Sequence, residues 1–220
     1  YVPRHLPSPA DPAHSPALAQ WVGLAAERLG GRTLVLTTTL KALRAVGDAL
    51  QKRFASSGAL EVLVQGEWPK RRLMERFREG ADHGQPGCVL VASATFWEGF
   101  DVPGDALQLV VIDKLPFPPP GDPLVEARTQ RIEKAGGKAF KAYALPEAAV
   151  ALKQGAGRLI RRESDRGILV VGDTRLVTMG YGKRLLAALP PMRRLESEEA
   201  FEEALQALLT RPSTTDPTCP

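Results

Sequence analysis

Five short apolar runs, at residues 33–36, 60–64, 88–92, 107–112 and 168–171, limit what this chain can fold into. The runs at 88–92 and 107–112 are almost unbroken. A strand with one wet face alternates polar and apolar residues, whereas an unbroken run is expected where both faces are covered, as in a parallel sheet. Between the runs the apolar period becomes helical. Leu40, Leu43, Val46, Leu50 and Phe54 recur at helical spacing, and Leu73, Met74 and Phe77 form the buried side of a charged helix over 70–79. Further helices are expected over 17–29, 122–134, 146–161, 181–189 and 197–209. The last has Ser197 as its N-cap, with Glu198 and Glu199 in its first turn. This order predicts an α/β domain, an open, mostly parallel sheet flanked by helices on both faces.

The 220 residues suit one such domain with tails. Residues 1–15, rich in Pro, His and Ser, read as an incoming linker, and 16–195 as the domain. Residues 196–210 read as a C-terminal helix and 211–220 as a disordered tail. Two cysteines, Cys88 and Cys219, exclude a disulfide framework and a zinc site. His5, His14 and His83 read as loop residues, so no metal site is expected. No run is long and apolar enough to span a membrane, so no membrane partner is expected. There is neither a signal pattern nor a start methionine, and the chain reads as a piece of a longer cytosolic protein. A net charge of +4 suits contact with a polyanion without requiring one.

Open parallel sheets bind ligands beyond the carboxyl ends of their strands. The residues expected there are Thr37-Thr38-Thr39, the segment 93–104, Asp113 with Lys114, and Asp173 with Arg175. Small hydroxyls such as the three threonines cap a helix, and the same turn can hold a phosphate. The segment 93–104 carries Trp97, Glu98, Gly99 and Asp101. A carboxylate there can accept hydrogen bonds from ribose hydroxyls; the other reading is a capped turn with Phe96 and Trp97 in the core.

On a continuous helix over 146–161, Ala148, Leu152, Ala156 and Leu159 fall on one side. Gln154, Arg158 and Arg161 then lie within roughly 60° of one another on the opposite side. Arginine offers a permanently charged, planar fork of donors to phosphate oxygens. Gly155 and Gly157 weaken a helix by about 1 kcal/mol each relative to Ala, which suggests a close approach to the backbone. A solvated basic face is the other reading. There is no G-x-x-x-x-G-K-[ST] phosphate loop, so the run ending in Asp113 only imitates a magnesium-binding strand end. No Ser/His/Asp or Cys/His set suggests a covalent catalyst.

Taken together and in order, these segments resemble the second motor domain of superfamily 2 helicases of the DinG/YoaA group, relatives of XPD. Residues 33–50 resemble motif IV, 96–104 motif V, and Gln154-Gly155-Ala156-Gly157-Arg158-Leu159-Ile160-Arg161 motif VI. Residues 111–117 and 173–176 also match that group, and the resemblance covers about 15–195. It implies a RecA-like fold and a part in an ATP-dependent DNA helicase of replication or repair, moving 5′ to 3′. It implies that Arg158 and Arg161 reach the γ-phosphate as arginine fingers, that Gln154 positions phosphate or water, and that Gly157 lies at the bound nucleotide. Gly99 and Asp101, with Glu98, would lie near the nucleotide. Thr37, Thr38 and Thr39, with Trp97, would touch single-stranded DNA. ATP with Mg2+ would be shared with an N-terminal motor domain outside these residues, leaving this piece inactive alone. A 4Fe–4S cluster would belong to the full-length protein, acting in the bacterial cytoplasm at the nucleoid. The competing classes are a non-catalytic nucleic-acid-binding α/β domain and a doubly wound enzyme with its own acid or base.

Overall fold

The structure is a computed structural model that describes residues 1–81, 84–93, 96, 102, 106–160 and 165–210. In chain order the elements begin α1 (His14–Arg28), β1 (Thr33–Thr37), α2 (Leu40–Phe54), β2 (Leu60–Val64), α3 (Lys70–Glu79), β3 (Gly87–Ser93) and β4 (Leu109–Ile112). They continue with α4 (Pro123–Lys134), α5 (Leu145–Ala156), β5 (Ile168–Val171), α6 (Arg175–Thr178), α7 (Gly182–Ala188) and α8 (Glu198–Leu209). The sheet order is β2-β3-β1-β4-β5, and every pairing is parallel. Central β1 sets the register, with Val35 opposite both Val91 and Val111.

The strand period of two divides the core into layers. Leu34, Leu36, Leu90, Ala92, Val110 and Ile112 pack with Leu73 and Phe77 of α3, Leu152 of α5 and Leu185 of α7. Val35, Val89, Val91, Leu109 and Val111 pack with Leu18 and Val22 of α1, Val46 and Leu50 of α2, and Phe201 and Leu205 of α8. Each fully buried Leu, Val or Phe contributes about 1.5–3 kcal/mol relative to exposure, so packing rather than helix propensity holds the shorter helices. The RecA-like α/β expectation holds, with a sheet that is wholly rather than mostly parallel.

Two local expectations, for His14 and for the end of α5, need correction, and the start of α5 gains a feature the spacing does not show. His14 is not a loop residue: it opens α1 and is 2% exposed. Its ring nitrogens lie 2.9 Å from the Pro7 carbonyl oxygen and 3.0 Å from that of Asp113, which ties residues 1–13 to the end of β4. The helix expected to start at Pro146 is preceded by a π-helical turn, Phe140–Ala144. Pro146 has no N–H to donate back along the helix, and the Leu145 amide bonds to the Phe140 carbonyl, one residue beyond the α-helical partner. The same helix ends at Ala156 instead of running to Arg161.

Candidate functional site

The carboxyl ends of β1, β3, β4 and β5 share one edge of the sheet, and a set of side chains there satisfies the backbone groups that the strands release. Thr39 is the N-cap of α2, its hydroxyl accepting from the Ala42 amide at 3.2 Å. Thr37 is fully buried and its hydroxyl donates to the Ala92 carbonyl at 3.3 Å, so a ligand outside the domain does not reach it. Thr38, between them, is half-buried, and its amide donates to Asp113 Oδ1 at 2.9 Å. Of the three threonines, Thr39 is exposed at this edge, while Thr38 is half-buried with its hydroxyl oxygen enclosed.

Asp113, 1% exposed at the end of β4, also accepts from the Lys114 amide at 2.8 Å. Its Oδ2 stands 3.7 Å from the Lys114 ammonium, too far for a hydrogen bond. Burial pushes this carboxyl up to about 6, against the smaller opposing pull of Lys114 and the two amides. A carboxylate so enclosed organises the turn and has no open face for a magnesium ion. Asp173, fully buried at the end of β5, accepts the Leu115 amide at 2.9 Å and the Arg175 amide at 3.0 Å. It also takes the Arg175 guanidinium through Nε at 2.9 Å and Nη2 at 2.7 Å. That fork lies 5.9 Å from the centre of the Phe117 ring. Gln65, after β2, does the same for β3: its Oε1 accepts the Ser93 amide at 2.7 Å and the Ser93 hydroxyl at 3.0 Å. Sequence reasoning passed over Gln65, which stands alone between an apolar run and a glycine and carries no motif.

On the α5 side, Ala148, Leu152, Ala156 and Leu159 are all buried, on the face expected from their spacing. Gln154 is exposed in the last turn of α5. Beyond the helix, Arg158 and Leu159 close tight turns, their amides donating to the Gly155 and Ala156 carbonyls at 3.2 and 3.1 Å. Gly157 caps α5 with ordinary right-handed angles, φ −65° and ψ −8°. Half-buried Arg158 is thus held by a turn anchored through Leu159, and not by a continuing helix. Two glycines in three residues account for the early end. Gln154 and Arg158, of the expected face, are carried by a helix end and the turn after it. Arg161, Trp97, Glu98, Gly99 and Asp101 lie outside the described residues.

Residues 24–192 match the model of the Helicase C-terminal domain family. The ATP-dependent DNA helicase YoaA of Escherichia coli is 42% identical over 191 residues, 87% of this chain and 29% of that protein. The ATP-dependent helicase DinG of Mycobacterium tuberculosis is 38% identical over 209 residues, 94% of this chain and 30% of that protein. The chain thus spans about three-tenths of the length of these relatives. An XPD helicase structure superposes with a TM-score of 0.62 at 18% identity, over 88% of this chain and 35% of that one. The C-terminal domain of the DEAD-box protein Dbp5 superposes with a TM-score of 0.50 at 15% identity, over 92% of this chain and 94% of that one. These likenesses, with the wholly parallel sheet, lead to one assignment: the chain belongs to the Helicase C-terminal domain family.

Proposed function

We propose that this chain is the C-terminal motor domain of an ATP-dependent DNA helicase and supplies one wall of an ATP site completed by an N-terminal motor domain. The observation that carries the reading is the turn after α5, where Leu159 is buried, Arg158 is half-buried and Gln154 is exposed. A guanidinium on an anchored turn is already positioned when a phosphate arrives, which is where an arginine finger gains its effect. Arg158 and Arg161 take that role, Gln154 orients phosphate or water, and Gly157 lies toward the nucleotide. Gly99, Asp101 and Glu98 lie toward the nucleotide. Thr38, Thr39 and Trp97 face the single strand, while Thr37 braces the turn from within. This chain offers cations and amides to Mg2+-bound ATP; the metal, when bound, neutralises phosphate charge, and its ligands come from the other motor domain. The domain alone is inactive, and the whole protein moves 5′ to 3′ on DNA in the bacterial cytoplasm. A 4Fe–4S cluster, if present, is held outside this chain.

The test is the DNA-stimulated ATPase of the full-length protein, wild type against Arg158→Ala and Arg161→Ala, with DNA binding measured in parallel. The expected result is a loss of turnover of about a hundredfold or more with DNA binding retained. Unchanged turnover with both variants would overturn the finger assignment and favour a domain that binds nucleic acid without catalysing.

A further inference from the structure

Strand β5 is the last strand of the sheet, beside β4. The Ile168 and Gly172 amides donate inward, to the Gln108 and Ile112 carbonyls at 2.8 Å each. By alternation the backbone groups of Leu169 and Val171 face outward. Tyr1 meets them there. Its nitrogen donates to the Leu169 carbonyl at 2.8 Å, and its carbonyl accepts the Val171 amide at 3.0 Å. That is the bonding of a parallel strand with Tyr1 opposite Val170. The side chains agree with this register. Tyr1 packs with Val170 on the α1 and α8 side, and Val2 packs with Leu169 and Val171 on the α5 and α7 side. The ladder stops after Val2, because Pro3 has no N–H for the Val171 carbonyl. It can extend only upstream of Tyr1, toward Gly167, where the Leu169 amide is the next donor in line.

A groove of about 940 Å³ begins at that point and runs along Gly167, Ile168 and Leu169. Leu159 lines it on the α5 side of the sheet, and Leu195, Ala204 and Leu208 line it on the α8 side. Ile160 also lines it and is 45% exposed. Leu159 and Ile160 belong to the turn that carries Arg158, so whatever fills the groove bears on that turn. In the register set by Tyr1, the first residue before it stands opposite Leu169 and faces Leu159. The second stands opposite Ile168 and faces α8.

Taking the helicase reading as its basis, we propose that the segment leading from the N-terminal motor domain to Tyr1 fills this groove as a sixth parallel strand and braces the turn that carries Arg158. The two residues before Tyr1 are apolar, one covering Leu159 and Ile160 and the other packing on Leu195 and Leu208. The carbonyl of the second accepts the Leu169 amide. The connection between the motor domains is thus part of this sheet. Tension on it, as the domains open and close, reaches the arginine turn through a single layer of side chains.

The test follows hydrogen exchange at single amides of the full-length protein, with DNA-stimulated ATPase measured alongside. In the wild type the Leu169 amide is expected to exchange about a hundredfold or more slower than an exposed amide. Asp at both positions before Tyr1 places two charges in an apolar groove and detaches the strand. That variant is expected to lose the protection at Leu169 and to turn over ATP about tenfold or more slowly, while the amides of β1 and β3 stay protected. Gly at the first position alone keeps the backbone bond and uncovers the turn, so exchange is expected to quicken at Arg158 and Leu159 but not at Leu169. Rapid exchange at Leu169 in a wild type that hydrolyses ATP, or protection that survives both Asp substitutions, overturns the strand and leaves the helicase reading standing. Loss of protection with turnover unchanged overturns the bracing of the turn. Protection that the Asp substitutions remove, in a protein without DNA-stimulated ATPase, supports the strand and removes the motor.

Discussion

The Thr38 amide donates to the Asp113 carboxylate across 2.9 Å, so one buried acid joins the end of β1 to the end of β4. Thr38 belongs to the proposed DNA-contacting turn, and Asp113 is what fixes it.

The first prediction follows from the burial of Asp113. Its carboxyl is raised from 3.8 to about 6, mainly by desolvation. Between those values the unfolded chain has released the proton and the folded chain keeps it. The folded state therefore binds more protons, and stability falls as pH rises through that window. The loss is on the order of 3 kcal/mol and is complete above about pH 6. Asp113→Asn still accepts from both amides and has nothing to titrate. Urea unfolding at several pH values is expected to show the wild type losing about that much relative to Asp113→Asn between pH 4 and 6.5. A constant difference across the range would mean that this carboxyl titrates as in water.

Asp173 gives the second. Removing its carboxylate leaves the Leu115 amide without an acceptor in a buried place and releases the Arg175 guanidinium. An orphaned buried donor costs about 1–3 kcal/mol, whereas the guanidinium, its side chain 40% exposed, can turn to water. Asp173→Ala is expected to lower stability by about that amount, and Arg175→Ala by less. Thermal unfolding of the two variants side by side decides it, and equal losses would place the stabilisation in the ion pair.

Much of this was legible in the sequence. The five apolar runs became the five strands because a strand covered on both faces is filled mostly by apolar residues. The faces of α2, α3 and α8 followed from spacing, since each packs through one stripe. The site was legible as segments and less so as geometry. Helical spacing assumed a helix running to Arg161, and the two glycines that end it early were read as a close approach. Thr37, Thr38 and Thr39 look equivalent as letters, yet one is in the core, one is tied to Asp113 and one caps α2. The difference arises from neighbours brought in by β3 and β4, more than fifty residues away in sequence.

A third prediction concerns the turn that feeds β1. Gly31 has φ +92°, and a Cβ there would stand 2.4 Å from the Cys88 backbone nitrogen. Backbone cannot move aside as a side chain can. Gly31→Ala combines a left-handed conformation, costing about 1–3 kcal/mol, with a clash at the entry to β3. Gly30→Ala, at φ +64° with nothing within 4 Å, has the first cost without the second. Gly31→Ala is therefore expected to melt several degrees below Gly30→Ala, at about 2–4 °C per kcal/mol for a domain of this size. Matching melting temperatures would show that the strands yield.

The last prediction separates the local and tertiary supports of α8. Its cap is local: the Ser197 hydroxyl accepts the Ala200 amide at 3.2 Å. Its packing is distant in sequence: the Phe201 ring lies 4.9 Å from that of Tyr1 and 5.0 Å from that of Trp21, and Arg28 pairs with Glu202 at the surface. Ser197→Ala removes one cap and is expected to cost about 1 kcal/mol. Phe201→Ala empties the contact between α8 and α1 and is expected to cost about 3–5 kcal/mol. If α8 is part of the domain, both losses appear in one cooperative urea transition. If α8 serves instead to dock a partner, Phe201→Ala leaves the main transition in place and changes only the Trp21 fluorescence.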